Sequence, residues 1–167
     1  YRKVEPSLRK WTSSVPDCKS VVLINNTIVN NKASNYGGGL FVYNWETHCY
    51  NNIIWGNTAG TNGSQIWDPY NSTTVKHCNI LGGWPNGEHI IKKAPLFVEG
   101  TFELSDASPC IGAGLAAIQI NGVDITCGGY DCYGNIRPYP SETNPDLGAY
   151  ESELAFPVGG LDIFDIV

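Results

Sequence analysis

The chain has 167 residues, 42% of them hydrophobic, and carries 16 acidic against 10 basic side chains for a formal charge of −6 at pH 7. That balance excludes the basic face that nucleic acid requires, and the apolar content excludes wholesale disorder. Only 16% of residues are charged while Gly (19) and Pro (10) are plentiful, which favours short strands and many turns over long helices.

Methionine is absent, even at position 1, which points to a piece processed or excised from a longer chain. Residues 1–17 read as an N-terminal cap or lead-in, charged from Arg2 to Trp11, with Ser7 placed as a helix N-cap. The longest apolar runs, such as Val21–Ile24 and Leu115–Ile118, fall far short of the roughly 20 residues that span a bilayer. No membrane span is therefore predicted.

Residues 18–104 are organised by a repeat. Asn25-Asn26-Thr27-Ile28-Val29-Asn30-Asn31, Asn51-Asn52-Ile53-Ile54-Trp55-Gly56-Asn57 and His77-Cys78-Asn79-Ile80-Leu81-Gly82-Gly83 follow one another at a constant offset of 26. The same offset aligns Leu23 with Cys49 and Val75, and Leu40-Phe41 with Ile66-Trp67. Each unit holds two or three short apolar runs, too brief and too rich in β-branched and aromatic residues for helices, separated by Asn, Gly, Ser and Thr. About three strands and three turns per unit is the arithmetic of a parallel β-solenoid, with equivalent residues about 4.8 Å apart. Alternation then places Leu23/Cys49/Val75 and Ile28/Ile54/Ile80 inside and Val29/Trp55/Leu81 outside. Asn25/Asn51/His77 and Asn31/Asn57 fall at turns, where stacked amides are expected to hydrogen-bond from coil to coil.

Beyond Gly83 the register loosens. Residues 84–95 read as an inserted loop, 95–98 and 101–104 as strands, 105–152 as a Gly/Pro-rich closing segment that caps the last coil, and 153–167 as a linker or tail. Arg137, the only arginine beyond position 9, is available to pair with Asp146 or Glu151 as a structural clamp.

The motifs Asn25–Asn31, Gly37–Val42, Asn51–Asn57, Ala94–Val98, Ser108–Gly114, Gly134–Pro138 and Asp146–Glu151, in that order, resemble the C-terminal part of secreted bacterial right-handed parallel β-helix proteins. These are pectin-lyase-like proteins with the choice-of-anchor Q type ending. The resemblance implies the pectin-lyase-like fold, secretion and attachment at the cell surface; the repeat itself gives about three regular coils plus a C-terminal capping segment, and with the missing methionine it points to preceding coils of the same protein. It implies no activity. One departure from that family is the Cys127–Cys132 loop before Gly134, where an Asp-Gly turn is more usual.

Six cysteines lack zinc-finger spacing. Cys127 and Cys132, separated by Gly-Gly-Tyr-Asp, read as a local disulfide; Cys49 and Cys110 read as small core residues, and Cys18 and Cys78 have no assigned partner. The N-x-[ST] sequons at Asn25, Asn62 and Asn71 would be glycosylation sites in a eukaryotic source.

Two functional readings compete. In the first, Phe41, Tyr43, Trp45, Trp55, Trp67 and Tyr70 line one face and offer flat rings to the apolar faces of sugars, making a polysaccharide-binding structural or adhesive element. The same rings could equally stack on one another or pack beneath residues 84–95. In the second, the chain is the end of a secreted polysaccharide lyase or glycoside hydrolase, with Lys76, His77, His48 and Asp68 as the candidate acid–base residues. Against it, the only acids between Val21 and Gly83 are Glu46 and Asp68, which share no column and are poorly placed as a facing pair. For the same reason no cofactor is predicted, and Ca²⁺, which wants clustered carboxylates, finds no ligand set.

Overall fold

In the computed structural model, the described residues are 20–158; the lead-in at 1–17, Ser7, Cys18 and the tail from 159 onward lie outside them. The described residues form twelve strands and no helix. The main sheet runs as two adjacent ladders. β1 (Ser20–Ile24), β5 (Glu46–Tyr50) and the first half of β9 (Thr73–Ile80) pair in parallel, with Leu23 opposite Cys49 and Cys49 opposite Val75. β2 (Thr27–Val29), β6 (Ile53–Trp55) and the second half of β9 repeat the pattern, with Ile28 opposite Ile54 and Ile54 opposite Ile80. Two shorter parallel pairs complete each unit: β3 (Lys32–Ala33) with β7 (Thr58–Ala59), and β4 (Leu40–Phe41) with β8 (Ile66–Trp67). In all of these ladders partners stand 26 residues apart, so the sequence offset is the hydrogen-bonding register.

Cys49, Ile54, Ile66, Val75, Cys78 and Ile80 form one buried cluster, against which Leu23, Ile28 and Leu40 pack. The chain turns out of it at recurring left-handed positions, Asn25, Asn51 and His77 (φ 56°, 54°, 47°), then Asn30, Gly56 and Gly82 (φ 57°, 67°, 81°). Asparagine and glycine are the residues that tolerate this backbone, which is why they recur at the offset.

The amide ladder forms at some of the expected positions and not at others. Asn57 Oδ1 accepts from the backbone and side-chain N–H groups of Asn31 at 2.9 and 3.0 Å. An unanticipated second rung joins Asn26 to Asn52, again with two bonds to one oxygen, at 2.8 and 3.0 Å. Asn25, Asn51 and His77 do not bond to one another. Their left-handed backbone aims each side chain away from the repeats, and all three reach the closing segment instead: Asn25 donates to the Cys127 carbonyl, Asn51 both donates to and accepts from the Leu115 backbone (2.8 and 2.9 Å), and His77 Nδ1 lies 3.1 Å from the Ala113 carbonyl oxygen.

The stretch expected to be an inserted loop contains β10 (Glu88–Ile91), which pairs in parallel with β9. Its offset is only 12 residues, Glu88 standing opposite Lys76, and this shortening is what breaks the sequence register. Trp84 and Ile90 pack against the first core from this side. The two strands expected at 95–98 and 101–104 reduce to a single antiparallel bridge between Phe97 and Leu104.

Within the closing segment, β11 (Ala117–Ile120) and β12 (Val123–Thr126) form an antiparallel hairpin around Asn121 and Gly122, both left-handed. The segment lies along all three repeats rather than across the last one. Leu104, Cys110, Ile111 and Leu147 enclose Ile53 in a second core, onto which Val29 and Trp55 pack. Two residues assigned to the exterior are thus covered, while Leu81 remains exposed. Close approach here demands glycine: a Cβ on Gly114 would sit 2.7 Å from the Pro145 carbonyl oxygen and 3.1 Å from Asn51 Cγ.

Candidate functional site

Parallel pairing of β4 with β8 puts Phe41 directly beside Trp67, ring centroids 4.7 Å apart and 19° from parallel. Tyr43 lies 6.5 Å from Trp67 and only 5° off its plane, and Tyr70 meets Tyr43 edge-on at 5.3 Å. Phe41, Tyr43 and Tyr70 are each at least half exposed. Tyr36 joins them at 4.9 Å from Trp67, which the column rule could not reveal because 36 aligns with Asn62. Trp67 is correspondingly less exposed than its neighbours, so the open ring surface belongs to Phe41, Tyr43 and Tyr70.

Local sequence explains the cluster. Gly37 and Gly63 (φ 66° and 68°) let the chain turn tightly before β4 and β8; a Cβ there would meet the Cβ of Phe41 at 2.7 Å or of Trp67 at 2.4 Å. Asp68 accepts hydrogen bonds from Tyr70 N (3.1 Å), Ser72 Oγ (3.2 Å) and Thr73 N (2.8 Å), which fixes the turn that carries the Tyr70 ring. Burial pushes the Asp68 carboxyl up, but the hydrogen bonds from Thr73, Tyr70 and Ser72 outweigh it and hold the group below its ordinary value. Asp68 positions an aromatic ring and has its lone pairs engaged.

Two of the predicted rings stand apart. Trp55 lies against the second core and Trp45, though exposed, makes no ring contact among the described residues. Beside the cluster, past Asn71, a cleft of about 400 Å³ runs between Thr73 and Thr74 on one side and Trp84, Pro85 and Asn86 on the other.

The structure also places the acid–base candidates. Lys76 Nζ is 2.8 Å from Glu88 Oε1 across the β9–β10 ladder. His77 is turned to Ala113 and its ring lies 4.5 Å from that of His89. His48 is buried on β5 with Nε2 3.4 Å from Glu46. None of the four makes a hydrogen bond or ion pair with another; each engages a different partner. Among the described residues no group of three or more His, Cys, Asp or Glu is arranged to hold a metal ion, and no helix is long and apolar enough to cross a membrane.

In the closing segment Arg137 Nε lies 2.8 Å from Glu151 Oε2, with both side chains buried, and Arg137 also donates to the Tyr150 carbonyl at 2.7 Å. Asp146 is not the ion-pair partner. Its carboxylate accepts from Gly112 N and Ser152 N, both at 2.7 Å. Glu151 further accepts from Tyr139 N and Asp146 N, so the cluster ties together three stretches of chain, at 112, 137–139 and 146–152.

Cys127 and Cys132 are free thiols, not the disulfide expected from their spacing. Cys127 is buried at the end of the hairpin, its N–H bonded to Ala116 and its carbonyl to Asn25. After Gly128 the chain leaves in another direction, and Cys132 is exposed with its N–H bonded to Ala149. The loop is held open by two different sets of partners. Cys49, Cys78 and Cys110 are free and fully buried. Of the sequons, Asn62 and Asn71 are exposed, whereas the Asn25 amide is committed to Cys127.

Compared with protein-family models, curated proteins and solved structures, the chain has no match.

Proposed function

We propose that residues 20–104 are coils of a right-handed parallel β-helix of the secreted, pectin-lyase-like kind. The element serves as a cell-surface structural or adhesive module that contacts polysaccharide through Phe41, Tyr43 and Tyr70, with Trp67 as their support. The carrying observation is the contiguous set of rings on the solvent side of β4 and β8. Solvent-exposed aromatic surface of this kind is costly to leave bare and suits the C–H faces of pyranose rings, while the hydroxyls and amides of Thr73, Thr74 and Asn71 nearby suit their hydroxyl groups. The offset of 26 residues in six parallel pairings supports the helical winding, and the ordered C-terminal motifs support the family assignment. A binding role fits better than cleavage because Asp68, Lys76 and His77 each already engage a partner within the protein.

The test is affinity electrophoresis against a panel of neutral and uronate-containing polysaccharides, with the double variant Phe41→Ala/Tyr43→Ala beside the wild type. Retardation by at least one glycan, lost in the variant, is expected. No retardation by any glycan, or equal retardation of the variant, would remove the aromatic face as a binding site. Unsaturated product from a uronate polymer would replace binding with lyase activity.

A further inference from the structure

Residues 105–158 contain seven acids, Asp106, Asp124, Asp131, Glu142, Asp146, Glu151 and Glu153, and a single cation, Arg137. That cation is buried and consumed by Glu151. Beside this pair lies an open cleft of about 410 Å³ between the chain at Asn135, Ile136 and Tyr139 and the chain at Tyr150, Glu151 and Glu153. Ile136 and Tyr139 are exposed, and the half-buried Tyr150 ring is braced edge-on by Tyr133 at 6.1 Å.

The charges around the cleft divide into fixed and available ones. Asp131 accepts four hydrogen bonds from N–H groups of Tyr133, Asn135 and Glu151, and Asp146 is fully buried and accepts from Gly112 and Ser152, so neither is available to a ligand, yet both contribute negative potential. Glu153 is exposed at the rim and makes no hydrogen bond or ion pair among the described residues. The Tyr150 phenol reports the same field: burial first, then Glu103, Asp131, Glu153 and Asp146, push its pKa up. Tyrosine faces attract cations through the ring quadrupole, and a carboxylate beside them adds a directional acceptor.

We propose that this cleft binds an alkylammonium or guanidinium group, held against Tyr139 and Tyr150 with Glu153 as its counter-ion. An anion would meet the Glu151 and Glu153 carboxylates there with no cationic side chain in the lining to offset them, and a neutral apolar ligand would leave Glu153 desolvated without a partner. The site lies in the closing segment, away from Phe41 and Trp67, and stands or falls independently of the polysaccharide reading.

Chemical-shift titration of the intact chain tests it with butylammonium and N-acetyl-arginine amide as probes and butanol and N-acetyl-norleucine amide as uncharged counterparts. A lysine-rich peptide forms a further arm that separates a free small cation from a basic side chain of a partner protein. The cationic probes should move the resonances of Tyr139, Tyr150 and Glu153, and the uncharged ones should not. Glu153→Gln and Tyr139→Leu, both at exposed positions, should each weaken binding by about fivefold. Tighter binding of the peptide than of butylammonium identifies the partner as a protein; equal binding identifies the small cation. The proposal is overturned if the uncharged probes bind equally well, if no cationic probe shifts these residues, or if Glu153→Gln leaves the affinity unchanged.

Discussion

Asn51 carries a large share of the attachment between repeats and closing segment, and its replacement by alanine gives the sharpest test of that attachment. The side chain is buried, its amide donates to the Leu115 carbonyl at 2.8 Å and its oxygen accepts from Leu115 N at 2.9 Å. Its backbone sits at φ 54°. Removing two such hydrogen bonds costs about 1 kcal/mol each, because water can partly reach the half-buried Leu115 backbone. Alanine in the left-handed region adds about 1 kcal/mol more. Asn51→Ala should therefore lose about 3 kcal/mol, and Asn51→Gly about 2 kcal/mol, since glycine accepts the backbone without strain. Urea denaturation followed by tryptophan fluorescence reads both values, and hydrogen exchange at Leu115 and Gly148 reads whether the loss is local. A cost for Asn51→Ala under about 1 kcal/mol, or a glycine variant worse than the alanine one, would refute the reasoning.

Asp131 links the loop at 131–135 to Glu151. Burial raises its pKa, but the hydrogen bonds from Asn135, Glu151 and Tyr133 prevail and hold it below the ordinary 3.8. Its contribution is thus present above that value and fades as pH falls through the lowered folded value. Asp131→Asn should lower the melting temperature at pH 7 and make little difference at pH 2; an equal deficit at both pH values would show that its charge is irrelevant. The thiols give a second readout. Burial pushes Cys49 up and raises Cys78 to about 12 and Cys110 to about 11, so these three should resist alkylation until the protein unfolds, while Cys132, whose thiol burial and Asp131 also push up, labels ahead of them because it is exposed. Mass spectrometry after brief iodoacetamide treatment checks this, and early labelling of Cys78 would contradict the packing around it.

Much of the architecture was legible because it is periodic. The offset of 26 located the partners of Leu23, Ile28, Leu40 and Phe41 without further information, since parallel pairing forces equivalent residues into contact. The features missed are those that break the period. β10 was hidden because its offset of 12 matches nothing upstream. The β11–β12 hairpin has a local signal, Asn121-Gly122 between β-formers, which the Gly/Pro-rich composition of residues 105–152 masks. Trp55 was misplaced for a different reason: alternation predicts which way a side chain points, not whether another segment covers it. The Cys127–Cys132 spacing failed similarly, because proximity along the chain does not report the tertiary bonds to Asn25 and Ala149. At the aromatic face, the columns found Phe41 and Trp67, whereas Tyr36 reaches Trp67 across columns.

The three anchors from Asn25, Asn51 and His77 run to Cys127, Leu115 and Ala113 in reverse order of the chain. One segment therefore measures the array from its third unit back to its first. In an ordinary repeat protein, units can be gained or lost at little cost because each touches only its neighbours. Here a unit inserted between the anchored ones would displace the anchors by about 4.8 Å per strand spacing, and the fixed span from residue 113 to 127 could no longer meet all of them. The closing segment acts as a gauge for the three units it spans: it fixes their spacing and order, so that duplication among them is self-limiting while growth ahead of them is not.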